Sequence, residues 1–67
     1  MTVNVATIRK IIDIPETGEL GDETINEFIS EATVFVTNVA NPAAPIDMKE
    51  LAIKHLAAYW SFEAYSD

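Results

Sequence analysis

The sequence predicts an all-α domain of three helices: a short first helix and two longer, roughly antiparallel ones. Three observations carry that reading. Apolar residues recur at steps of three and four in three separate segments. Two stretches rich in proline, glycine and asparagine, one around Pro15–Gly21 and one over Asn41–Pro45, separate those segments. Sixty-seven residues leave room for one hydrophobic core, so residues 1–67 read as a single helical domain.

The first helix spans Val5 to Ile12. Val5, Ile8, Ile11 and Ile12 gather on one side, and Asn4 stands where its side-chain oxygen can cap the first turn. The helix must stop by Ile14, because Pro15 pushes the residue before it out of the α region. A strand over residues 2–5 is the alternative that the β-branched residues allow.

The second helix starts near Gly21 or Asp22. Asp22 and Glu23 fall in its first turn, where carboxylates favour the positive end of the helix dipole. With Gly21 as cap, Leu20 and Ile25 take the two positions of a hydrophobic staple. Ile25, Phe28, Ile29, Ala32, Phe35, Val36 and Val39 form the apolar face. Asn26, Glu27, Ser30, Glu31 and Thr37 form the polar one.

The third helix is expected to open at Asp47, with Glu50 completing a capping box, and to run unbroken to Ser66. It is apolar over most of its circumference. Met48, Leu51, Ala52, His55, Tyr59 and Phe62 line one face; Ile53, Ala57, Trp60 and Ala64 line another, with Leu56 between. Either the two shorter helices cover one face each, or one face is left for a partner. The expected core is Ile8, Ile12, Ile25, Phe28, Ile29, Ala32, Val36, Leu51, Ala52, His55, Leu56 and Tyr59. That choice makes Ile53, Ala57, Trp60 and Ala64 the candidate assembly interface, with Trp60 as its anchor. A core of this size supports only ~3–5 kcal/mol of stability.

Composition narrows the function. Eleven acids against four bases give a net charge of −7, which argues against binding nucleic acid through its phosphates. A helix-turn-helix reader fails on the same ground: no base lies between Lys10 and Lys49, while eight carboxylates do. No apolar run is long enough to span a membrane, and the first residues lack the basic-then-apolar pattern of a signal peptide. There is no cysteine, hence no disulfide and no thiolate metal site.

No catalytic set can be assembled, and no cofactor or small-molecule substrate is expected. His55 is the single histidine, and Ser30, Ser61 and Ser66 belong to no motif. The acidic loop from Asp13 puts Gly18 at the sixth position of an EF-hand count. Pro15 then falls where an oxygen ligand belongs, and Thr24 where a bidentate glutamate is needed. Asp22, Glu23, Glu27 and Glu31 form a candidate acidic face, either a solvated surface or an imitation of a phosphate backbone.

Ile8-Arg9 with Asp13-Ile14-Pro15, the Leu20-x-Asp22-x-x-Ile25-x-x-Phe28-Ile29-x-x-Ala32 segment, and the closing Leu51 to Trp60 stretch carry a family likeness. Together they resemble the small helical head–tail connector proteins of tailed phages and proviruses. The resemblance implies a non-enzymatic virion part, made in the host cytoplasm and built into the virion. It implies a ring-like homo-oligomer closed by heterologous contacts and seated against portal or tail proteins. Connectors of this kind usually continue past the long helix, so residues 1–67 are expected to be a minimal member or the N-terminal part of a longer protein. The alternative function is a small acidic protein–protein interaction module, such as an inhibitor that mimics DNA.

Overall fold

The computed structural model describes residues 3–13 and 20–66 and consists of α1 (Val5–Ile12), α2 (Asp22–Val39) and α3 (Ile46–Ser66). Among the described residues there is no strand; Val3 and Asn4 lead directly into α1. The acidic loop containing Pro15 and Gly18 lies outside the described residues.

Local chemistry sets the helix ends. Asn4 Oδ1 accepts from the Thr7 amide at 3.0 Å, and Thr7 Oγ1 accepts from the Asn4 amide at 3.3 Å. This reciprocal pair satisfies two amide donors at the start of α1. At the other end Asp13 turns left-handed, with φ 55°, and its amide donates to the Arg9 carbonyl at 2.8 Å. Aspartate is among the few residues that enter this region at modest cost. Gly21 caps α2 with its extended backbone, and Leu20 and Ile25 on either side are both buried, as the staple requires.

The connector 40–45 is organised by Asn41. Its Oδ1 accepts from the Ala43 amide and its carbonyl from the Ala44 amide, each at 2.9 Å. α3 then begins one residue earlier than expected. The Pro45 carbonyl accepts from the amides of Met48 and Lys49, so Asp47 lies inside the first turn and is not the cap. Its charge still favours that end of the helix dipole.

α2 and α3 form the main interface, and α1 leans on α3 more than on α2. The pair is antiparallel: Thr33 and Thr37 of α2 lie beside Ile46 and Ile53, whereas Phe28 meets Trp60. α1 runs the same way as α3, with Val3 and Thr7 near Asp47 and Lys54, and Ile11 near Phe62. The molecule is elongated, 39 × 19 × 16 Å.

The core comprises Val3, Ile8, Leu20, Ile25, Ile29, Ala32, Val36, Ile53, Ala57 and Ala58. Ile12, Phe28 and Leu56 are partly buried against it. The contributions of α1 and α2 largely match expectation. That of α3 is inverted: Leu51, Ala52, His55 and Tyr59, expected inside, are exposed. Size explains the reversal. Ala57, Ala58 and Ser61 let the neighbouring helices approach α3 closely, whereas the Met48–Leu51–Tyr59–Phe62 side would hold them off.

Candidate interaction surface

The inverted seating of α3 buries part of the expected interface. Ile53 and Ala57 are 4% and 0% exposed and belong to the core, so they cannot meet a partner in this fold. Trp60 is partly buried, packed between Phe28 and Phe35 at ring-centroid distances of 6.4 and 6.3 Å. The Phe35–Trp60 pair is edge-on, a favourable aromatic arrangement. Ala64 alone of the four is exposed.

The face that reaches solvent is the other one. Met48, Leu51, Tyr59 and Phe62 are each at least half exposed, with His55 among them. The i, i+3, i+4 spacing aligns these residues along α3. Ile11 of α1 extends the stripe: with Ile12, His55, Ala58, Tyr59 and Phe62 it lines a shallow apolar groove. No residue of the stripe carries a carboxylate, on a chain whose net charge is −7. At its edge Glu63 raises the Tyr59 phenol above its ordinary value, first by accepting its hydrogen bond and then by its negative charge.

A second apolar groove opens along α2 and reaches across to α3. Val34, Phe35 and Val39 form it with Trp60, and Glu31, Ser30 and Asn38 border it. Val34, Phe35 and Val39 are more than half exposed. The spacing put Phe35 and Val39 on the apolar face of α2, outside the expected core. They lie beyond the reach of α1, whose eight residues cover only one side of the α2–α3 pair.

The candidate acidic face is divided. Asp22 is drawn to α1, where its Oδ1 accepts from Arg9 Nη2 at 2.7 Å and Nε at 3.1 Å. Arg9 Nη2 also donates to the Leu20 carbonyl at 2.9 Å, so one guanidinium ties α1 to the start of α2. Glu23, Glu27 and Glu31 stay exposed, in a row of i, i+4 steps on α2.

Among the described residues, no group of three or more His, Asp or Glu side chains could hold a metal ion. No described helix is long and apolar enough to cross a membrane. Ser61 is fully buried, and its hydroxyl has no hydrogen-bond partner among the described residues. The spacing alone does not tell which side of α3 reaches solvent, because both of its faces are apolar. The one legible signal was the cluster of small residues, Ala57, Ala58 and Ser61, marking where helices meet. In comparisons with protein-family models, curated proteins and solved structures, nothing matches this chain.

Proposed function

We propose that this chain is a non-enzymatic assembly module that buries the outer face of α3 against further copies of itself. The observation that carries the proposal is the uncharged stripe of Met48, Leu51, Tyr59 and Phe62, at least half exposed on so small and acidic a molecule. Exposed apolar patches of that continuity mark contact surfaces. Together with the resemblance to head–tail connectors, the stripe supports a virion role. Copies would gather in the host cytoplasm and form a ring at the portal vertex, against portal or tail proteins.

Sedimentation over a range of protein concentrations tests the assembly. The native chain is expected to form oligomers, and the double variant Leu51→Gln/Phe62→Gln to stay monomeric with unchanged helical circular dichroism. A native chain that remains monomeric at every concentration sinks the reading. The virion role is tested by affinity capture from infected or induced cells. Portal or tail components should be recovered with the native chain and lost with the double variant.

A second reading rests on the exposed Glu23–Glu27–Glu31 row, which offers a basic partner a line of negative charge. Under it, the same capture recovers a nuclease or DNA-binding protein without virion parts. Charge reversal on α2, not the α3 variant, would then release that protein.

A further inference from the structure

The molecule carries two apolar surfaces on different sides, and their flanking charges differ. Beside the stripe, at the seam between α1 and α3, Lys10 and Lys54 lie together with Ile11. Asp47 and Glu50 flank the end of that seam near Val3 and Leu51, and Glu63 stands against Tyr59 further along the stripe. The groove of Val34, Phe35, Val39 and Trp60 is bordered by Glu31, and among the described residues no lysine or arginine lines it. Glu27 stands exposed one turn before Glu31. The last turn of α2 has no basic residue of its own, and Lys49 of α3 lies on the other side of that turn, beside Val36 and Thr37.

We infer that these two surfaces are the two halves of one contact: the α1–α3 seam of one copy seats in the α2 groove of the next. Resting on the self-assembly reading above, the inference specifies which faces meet. Stripe-on-stripe pairing is the isologous alternative, and it would leave the α2 groove open. Joining seam to groove covers both apolar surfaces and sets Lys10 and Lys54 toward Glu27 and Glu31. Because the two patches differ, the contact is heterologous and propagates from copy to copy, into a ring if the rotation closes. Charge pairs at such a rim set the register and the partner choice more than the raw affinity.

Reciprocal charge reversal tests the arrangement. Lys10→Glu/Lys54→Glu and Glu27→Lys/Glu31→Lys are made as separate double variants, each checked by circular dichroism. Each alone should lose self-association by on the order of 10-fold or more. An equimolar mixture should recover it, because every seam–groove junction between unlike copies again pairs opposite charges. Raised salt should weaken both the native assembly and the mixture. If the native chain associates while Glu27→Lys/Glu31→Lys leaves it unchanged, stripe meets stripe and the inference is overturned. Two folded variants that fail to associate when mixed overturn it as well. A native chain that never associates overturns the inference together with the reading beneath it.

Discussion

At the scale of single residues, two side chains expose opposite uses of polarity. Ser61 sits inside α3's core face with its hydroxyl unpartnered among the described residues. A buried polar group left without a partner costs about 1–3 kcal/mol, whereas alanine keeps the close helix approach without that cost. Ser61→Ala should therefore stabilise the chain by about 1 kcal/mol, a rise of ~4–8 °C in Tm for a domain this small. A fall in Tm would show that the hydroxyl is satisfied in the folded protein. Tyr59 is the exposed counterpart. Glu63 accepts from its hydroxyl and lies against it as a charge, so its folded value is above the unfolded one. The sign follows: the contribution is complete below the unfolded phenol's titration and is lost as pH rises through the folded value. Neutral solution leaves it intact. Phenolate absorbance should show Tyr59 titrating later than a free tyrosine, and Glu63→Gln should move it back down. Asn4 was readable in advance for a plain reason. A cap is a bargain between neighbours in sequence, and Thr7 is three residues away.

At the scale of elements, what a helix does alone was legible and what it does against its neighbours was not. The connector at 40–45, the Leu20–Ile25 staple and the Ile25–Ile29–Ala32–Val36 face follow from spacing and turn residues. The seating of α3 does not, because both of its sides satisfy a hydrophobicity count and only side-chain volume separates them. Ala57 and Ala58 fit between helices; Leu51 and Tyr59 do not. This orientation predicts a contrast along one helix. Ala57→Leu should overpack the contact and cost about 1–3 kcal/mol. Ile53→Ala should cost about 2–5 kcal/mol, enough to unfold most of so small a domain. Leu51→Gln on the outer face should change monomer stability by no more than about 0.5 kcal/mol. Urea titrations of the three variants check the order. Equal losses at Ile53 and Leu51 would mean that α3 is turned otherwise.

At the scale of the whole molecule, the candidate site was only half visible in the sequence. The acidic row on α2 could be read directly, apart from the loss of Asp22 to Arg9 across the intervening loop. The exposed stripe could be read as one of two faces, and the groove beside Trp60 depends on how far eight residues of α1 reach. A chain with this little interior gains stability from anything that covers its outer surface. If copies cover one another, Tm should rise with protein concentration, measurably across a ~100-fold range, while Leu51→Gln/Phe62→Gln flattens the dependence. A concentration-independent Tm in the native chain would speak against self-burial. The order of the helices in the chain has a kinetic consequence. α2 and α3 form a hairpin through a six-residue link, so their pairing closes a short loop. α1 must instead reach across α2 to lie along α3, and at eight residues it is too short to hold helical form unaided. It should dock last in folding and detach first in local opening, with the earliest amide exchange of the three helices. Each detachment bares Ala58 beside the outer stripe. The sticky area of this molecule is therefore not a fixed quantity: it widens whenever its shortest helix lets go.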